Sequence, residues 1–306
     1  MSVDPFSDIL KFTRAESLVT GGFTAGGPWA LRFPAPDKIK FFAVVKGSCW
    51  VRIDGEPEPV QVNAGDVGLL AASRSFVLSG DLETEPLDAM QVFQACGNRF
   101  LHLGDREEFS YLGGHVLLDP VSRELLAEAL PPWIHVPSGS PQAAAFQWLL
   151  DQLVQERSLN LPGASLASDQ LAQLLFIQIL RAHLNNSETL PVGWLRALAD
   201  SKIAPALRSM HGDPGHAWGL EALAKTAAMS RTTFAVRFKQ AAGVAPLSYL
   251  TAWRMRLAER ALREEDVTVA DLARSLGYTS ESAFSNAFKR TNGSAPNRYR
   301  AVARAV

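Results

Sequence analysis

The sequence predicts a mixed α+β chain in three parts: a strand-rich N-terminal domain, a helical middle and an all-helical C-terminal domain. Three observations predict it. From about residue 17 to 118, short apolar runs alternate with turn dipeptides such as Lys46-Gly47 and Asp54-Gly55. Residues 141–157 and 167–184 carry apolar side chains at helical spacing. Near the C-terminus one pattern of Ser, Phe, Phe, Lys, Gly, Ala and Pro occurs twice, from Ser230 to Pro246 and from Ser280 to Pro296. At 306 residues the chain is long enough for two domains and a linking region.

In chain order, residues 1 to about 16 read as a short amphipathic helix around Phe6, Ile9, Leu10 and Phe12, packed on the next part of the chain. Strands are expected over 18–23, 30–33, 39–45, 48–53, 60–62, 67–70, 76–78, 90–93 and 99–103. Many short, closely spaced strands indicate a sandwich or barrel. Ser122 to Leu130 reads as a short helix, stopped by Pro131-Pro132. The helix over 141–157 gathers Phe146, Leu149, Leu150, Leu153 and Val154 on one face, and that over 167–184 gathers Leu171, Leu174, Leu175 and Ile179. Such stripes suit either a dimer seam or packing on the chain's own strands. Asn185 to Glu188 is a linker signal. Short helices come next over 191–199 and 203–211, then a turn from His211 to His216 whose two histidines are explained by loop composition.

Each repeat copy reads as a capped helix. Ser230 and Ser280 are N-caps, and Phe234/Phe238 and Phe284/Phe288 share a buried face. Gly243 and Gly293 stop the helices. A shorter helix precedes each copy, marked by Leu220, Leu223, Ala224 and Ala227 in the first and by Val269, Leu272, Ala273 and Leu276 in the second. Thr268 and Asp271 have capping-box spacing, and Gly277 supplies the second tight turn where the first has Ala228. Short helix, turn and capped helix make a helix-turn-helix, here in tandem, whose second helices suit the major groove. Their exposed positions are Arg231, Thr232, Ala235, Val236 and Arg237 in the first copy, and Glu281, Ser282, Ser285, Asn286 and Lys289 in the second. These are the candidate DNA-binding residues.

The net charge of −1 conceals an asymmetry. Residues 201–306 hold 16 Lys and Arg against 8 Asp and Glu, a net of +8, while residues 1–200 carry −9. A basic C-terminal part on an acidic N-terminal part fits a nucleic-acid module joined to a sensing or assembly module. Two cysteines, Cys49 and Cys96, give neither a disulfide framework nor a zinc pattern. No signal segment or membrane-length apolar run is evident, so a cytoplasmic protein is expected, with no membrane partner.

Residues 205–300 resemble the DNA-binding domain of the AraC/XylS family of transcriptional regulators. The linking segment Pro246 to Leu262, the run Leu272 to Lys289 and the closing Gly293 to Arg300 carry that resemblance. One position departs: many members carry Arg where this chain has Asn286. Residues 46–50, 54–55 and 63–66, with 113–118 and 130–136, resemble the cupin-type sensing domain of part of that family. The resemblance implies a cupin-like β-barrel over 1–137, a helical linker and dimerisation region over 138–195, and the tandem helix-turn-helix over 196–306. It further implies double-stranded DNA as partner, a homodimer, a small-molecule effector in the barrel, and RNA polymerase as a partner if the protein activates.

Metal-binding cupins place histidines on the barrel strands. This chain has none around Phe42 and offers Phe76 where a second would stand, while His102 and His115 sit in no cluster with a carboxylate. No metal, cofactor or catalytic residue is therefore expected, which counts against a metal-dependent cupin enzyme with a DNA-binding tail. Trp29, Phe33, Phe42, Trp50, Arg52 and Phe76 are the candidate ligand-lining residues. A purely architectural DNA binder without effector stays open, as does a thiol-based redox regulator using Cys96. Cys49, among apolar strand neighbours, reads as an inert core thiol.

Overall fold

The computed structural model describes residues 4–71, 74–96, 100–119, 122–159, 161–185 and 190–304. Contacts divide the chain into two compact units. One runs from Phe12 to Leu190; the other joins the N-terminal residues through Lys11 to everything from Pro191 onward. Helix α1 (Pro5–Phe12) opens the chain, and, against the expectation that it packs on the part that follows, residues up to Lys11 belong to the C-terminal unit, whose apolar side chains cover its Phe6 and Ile9. Its Phe6 ring lies 6.5 Å from that of Trp194, and Ile9 is fully buried.

The Phe12–Leu190 unit is built on two sheets. Its strands are β1 (Glu16–Ala25), β2 (Ala30–Phe33), β3 (Ile39–Lys46), β4 (Ser48–Ile53), β5 (Val60–Asn63), β6 (Val67–Leu70), β7 (Phe76–Ser79), β8 (Leu87–Asp88), then, after helix α2 (Ala89–Cys96), β9 (Phe100–Leu103) and β10 (Phe109–Leu117). Helix α3 (Arg123–Ala127) and strand β11 (Trp133–Val136) come next. One sheet has the order β11-β6-β3-β10-β1-β9 and the other β5-β4-β7-β2-β8. Both contribute to one apolar core, with Phe23, Phe42, Val44 and Tyr111 from the first and Leu31, Cys49, Val51 and Leu78 from the second. The chain passes between the sheets at Gly47, whose φ of +75° is open to glycine and whose missing Cβ leaves room for the Glu108 carbonyl.

Buried Asp66 ties this corner together. Its carboxylate accepts hydrogen bonds from the Asn63 N–H (3.0 Å) and Ser138 N–H (2.7 Å) and lies 2.9 Å from His135 Nε2. Burial would raise this carboxyl, but those hydrogen bonds outweigh it and hold the group below the usual carboxylate range.

Residues 90–93, expected as a strand, are helical in α2. The reason lies just upstream. The Asp88 side chain accepts from the Met90 and Gln91 N–H groups (2.8 and 3.2 Å), so a local cap overrides the apolar run. Strand β10, unannounced because Gly113-Gly114 interrupts its alternation, pairs with both β1 and β3. The helices α4 (Ala143–Leu159) and α5 (Ala164–Asn185) pack on each other, and α5 packs on β1, where Gln173 accepts from the Ser17 N–H (2.9 Å). Phe146, Leu149, Leu150, Leu153, Leu175, Phe176 and Ile179 are buried, while Trp148, Val154, Leu166 and Leu174 are exposed. The linker signal at 186–188 lies outside the described residues.

The other unit continues with α6 (Trp194–Ala199), α7 (Ala204–Gly212), α8 (Leu220–Thr226), α9 (Arg231–Ala242), α10 (Pro246–Glu264), α11 (Val269–Ser275), α12 (Glu281–Asn292) and α13 (Pro296–Ala303). It holds two separate cores, one around Phe234 and Phe238 and one around Phe284 and Phe288. His211, expected where the helix over 203–211 meets a turn and explained there by loop composition, is instead a buried residue of α7: its ring stacks 4.2 Å from that of Trp253 and Nε2 lies 2.9 Å from the Tyr249 hydroxyl. Burial lowers its pKa to about 4, so it is neutral at pH 7 despite Asp8 at 3.8 Å. Among the described residues no helix is long and apolar enough to cross a membrane.

Candidate nucleic-acid interface and sheet-domain cleft

Helices α9 and α12 are built by the same local chemistry. Ser230 Oγ accepts from the Thr233 N–H (3.2 Å) and Ser280 Oγ from the Ala283 N–H (3.1 Å). Both end at a left-handed glycine, Gly243 (φ +79°) and Gly293 (φ +75°), whose N–H reaches back to the Lys239 and Lys289 carbonyls respectively. All four phenylalanines of the repeat are fully buried. That fixes the rotation of each helix and turns the other face outward. Arg231, Thr232, Val236, Arg237, Glu281, Ser282, Asn286 and Lys289 are exposed, and Ala235 and Ser285 are half-buried. Val236 is 53% exposed, a cost for a β-branched apolar side chain unless something covers it. At the start of α11, Thr268 Oγ1 accepts from the Asp271 N–H (3.0 Å), the cap half of the box expected there, while the Asp271 carboxylate accepts from the Thr268 hydroxyl (2.6 Å).

Helix α10 holds the two halves apart and belongs to both. Leu250 sits in the first core; Met255, Ala258, Ala261 and Leu262 sit in the second. Arg254, between them, braces the junction. Its guanidinium donates to the carbonyls of Pro214 (2.6 Å) and His216 (2.7 Å) and lies over the Tyr278 ring at 5.8 Å. A Cβ at Gly277 would stand 2.2 Å from the Gly215 carbonyl oxygen, so the two turns touch only because this position is glycine. Nothing in the spacing of the repeat announces this brace, because its partners are backbone carbonyls.

Arg237 differs from the other candidate contacts. It forms a bidentate pair with Asp200 (Nε 2.7 Å, second nitrogen 3.0 Å). Burial alone would raise the Asp200 carboxyl, but the Arg237 and backbone hydrogen bonds hold it below the usual range. Arg237 thus ties α9 to the loop after α6, and its charge is largely neutralised there.

In the sheet domain a cleft of about 740 Å³ opens between β1, β2, β3, β7, β10 and α2, lined by Phe23, Phe33, Lys40, Phe76, Phe93 and Tyr111 among others. A small inner pocket of about 10 Å³ shares Lys40, Phe76 and Tyr111 with it and adds Phe42 and Trp133. Phe33 and Phe76, expected as lining residues, stack on each other at 4.9 Å on the cleft wall. Phe42 stacks on Trp133 at 4.7 Å in the inner pocket. Trp29 packs into the core against Phe109 and Phe23 and lines neither space. Trp50 and Arg52 are corrections: on β4 the buried side is Cys49, Val51 and Ile53, so these two alternate onto the outer face. Lys40 and Phe93 escaped the sequence reading. A lone lysine between Ile39 and Phe41 in an apolar strand was the available signal for the first.

The Cys49 thiol is buried, and burial followed by the charge of Asp66 pushes its pKa up to about 12, which makes it unreactive at neutral pH. The side chain of Cys96 lies outside the described residues. His102 Nδ1 lies 2.6 Å from the Thr24 hydroxyl, and His115 is half-buried with its pKa lowered by burial and by Lys38 and Lys40.

A family model described as cupin matches residues 4–185, and one described as a helix-turn-helix domain matches residues 223–301. The chain is 41% identical over 298 residues to a protein of Streptomyces antibioticus named as an AraC-like transcription regulator, spanning 97% of this chain and 98% of that one. It is 29% identical over 288 residues to the HTH-type transcriptional regulator AlkR of Acinetobacter baylyi, covering 90% of this chain and 91% of the relative. Among solved structures, the DNA-binding domain of AdpA in complex with a target DNA shares 36% identity with a TM-score of 0.33, covering 34% of this chain and 94% of that domain.

Proposed function

The chain belongs to the AraC-like transcription regulators, and from that premise we propose that a small molecule held in its sheet domain controls how its tandem helix-turn-helix engages DNA. It is a DNA-binding transcription regulator and not an enzyme. The observation that supports the mode of DNA engagement is the pair of capped, identically anchored helices α9 and α12 on one bridging helix, and the cleft of the sheet domain supports the effector. Over its 19 residues α10 spans ~28 Å at ~1.5 Å per residue. That suits two recognition helices entering major grooves ~34 Å apart on one face of the duplex. Arg231, Thr232, Ala235 and Val236 then face one half-site, and Glu281, Ser282, Ser285, Asn286 and Lys289 the other. Arg237 serves as a brace on Asp200 in this reading.

The working organisation is a cupin-like sensing domain from Phe12 to about residue 137, a helical dimerisation region that continues the same unit to Leu190, and a DNA-binding unit from Pro191 that the residues through Lys11 join. Exposed Trp148, Leu166 and Leu174 on α4 and α5 favour a homodimer through that pair, since a monomer gains nothing from leaving them in water. A cytoplasmic location, and contact with RNA polymerase if the protein activates, complete the reading. Selection of bound sequences from random DNA by the full-length protein tests it. Two half-sites about one helical turn apart are expected, with affinity falling as salt rises by about 0.9 log units per log unit of salt for each phosphate neutralised. A single short site, or affinity insensitive to salt, would overturn it.

A further inference from the structure

We infer that the sheet-domain cleft takes an amphipathic monoanion, a carboxylate or sulfonate head on an apolar body, with Lys40 as the residue that holds the head. The inference rests on the effector reading above and gives that ligand its chemistry. Lys40 comes from the apolar strand β3, between buried Ile39 and Phe41, and is half-buried on the wall of the cleft. Its ammonium lies 5.5 Å from the Phe33 ring centroid and 5.8 Å from that of Phe76. Among the described residues it has no hydrogen-bond or ion-pair partner.

A half-buried ammonium without a counter-ion is costly, and proteins ordinarily avoid it by pairing or by snorkelling to water. Here burial lowers the Lys40 pKa, and the field of exposed Asp37 opposes that shift without closing an ion pair. Its cross-strand neighbour on β10 is His115, itself held toward the neutral form by burial and by Lys38 and Lys40. At His115 the fields of Lys38 and Lys40 exceed the opposing field of Asp37, and no carboxylate among the described residues contacts the Lys40 ammonium. Two stacked aromatic rings beside the ammonium supply a partial answer, as cation–π contact does, but they offer no acceptor.

The rest of the cleft specifies the other end of the ligand. Phe23, Phe33, Phe76, Met90, Phe93 and Tyr111 line it, with Gln94 and the backbone of Gly21, Gly22, Gly113 and Gly114. Among the described residues, none that lines it is a carboxylate. A site of about 740 Å³ that is mostly apolar and carries one cation fits a ligand that is mostly apolar and carries one anion. A dianion or a sugar would leave charges or hydroxyls without partners.

The test uses the full-length protein and a matched pair of fluorescent probes: 8-anilinonaphthalene-1-sulfonate, and N-phenyl-1-naphthylamine, the same rings without the sulfonate. Wild type should bind both. Lys40→Met should weaken the sulfonate at least tenfold and leave the neutral probe within twofold, and Lys40→Arg should restore sulfonate binding. If Lys40→Met loses its cooperative unfolding transition, Lys40→Gln takes its place. Sulfonate affinity unchanged in the neutral variant, equal losses for both probes, or no binding of either probe to wild type would each overturn the inference. Failure of the effector reading looks different. A sulfonate bound through Lys40 that leaves DNA affinity unmoved keeps this site and removes its regulatory role; a neutral ligand that shifts DNA affinity while Lys40 is irrelevant does the reverse.

Discussion

Ala228 carries a left-handed backbone (φ +50°) at the turn between α8 and α9, where the second repeat has Gly277 at φ +76°. A Cβ there costs ~1–2 kcal/mol relative to the right-handed region. Ala228→Gly should therefore stabilise the C-terminal unit by about 1 kcal/mol after the extra chain entropy of glycine, read as a higher denaturation midpoint at unchanged slope. His211 couples stability to pH. Its folded pKa of about 4 lies below the unfolded value of about 6.5. Stability from this group is thus fully present above about pH 6.5 and is lost as pH falls toward 4, because the unfolded chain takes up a proton that the folded one refuses. Unfolding free energy measured from pH 7.5 to 4 should show that decline, and His211→Gln should flatten it; an unchanged limb would mean that His211 is not the group responsible. The caps at Ser230, Ser280 and Thr268 were legible because their partners stand three residues away. The burial of His211 was not, because the aromatic rings that cover it come from α10, and the residues that follow it spell a turn.

At the scale of elements, the repeat was readable because its helices are amphipathic and capped, so local preference and burial agree. The α2 segment misled because an aspartate just upstream decided between two structures that the apolar run alone could not distinguish. Exposed Asn286 on α12 can make two hydrogen bonds to adenine, worth ~1–3 kcal/mol of discrimination. Asn286→Ala should relax selectivity at one base pair in a binding selection while leaving affinity for other positions nearly intact; a uniform loss across sequences would make Asn286 a phosphate contact. Arg254 sets how rigidly the two halves are spaced through its bonds to Pro214 and His216. Arg254→Met should weaken a two-half-site DNA about tenfold and a single half-site about twofold or less, since only the former needs both helices in register. Equal losses on both DNAs would reduce Arg254 to a fold residue.

For the whole molecule, the charge asymmetry pointed to a basic C-terminal module, but the expectation that the opening helix packs on the part that follows it fails, because nothing in residues 5–12 distinguishes one apolar groove from another. An amphipathic helix is satisfied by any apolar groove, and its choice depends on surfaces assembled from distant sequence. The structure puts α1 through Lys11 with the C-terminal unit: Phe6 lies against Trp194, Asp8 beside His211, and Phe6, Ile9 and Leu10 are buried. A fragment beginning at Pro191 therefore keeps both helix-turn-helix motifs but uncovers the surface that α1 occupies. Each of those three apolar side chains contributes ~1.5–3 kcal/mol of burial, partly offset by the entropy of ordering a short helix. The fragment should be less stable by on the order of 2 kcal/mol than one in which residues 4–11 are fused ahead of Pro191 through a flexible linker. Denaturant titration of the two measures the difference. Ile9→Ala in the fused form should reproduce most of the loss, because Ile9 is the most deeply buried of the three. Equal midpoints for all three proteins would show that α1 adds nothing to this unit, whereas DNA affinity retained by the shorter fragment at low temperature would separate the stabilising role of α1 from the recognition carried by α9 and α12.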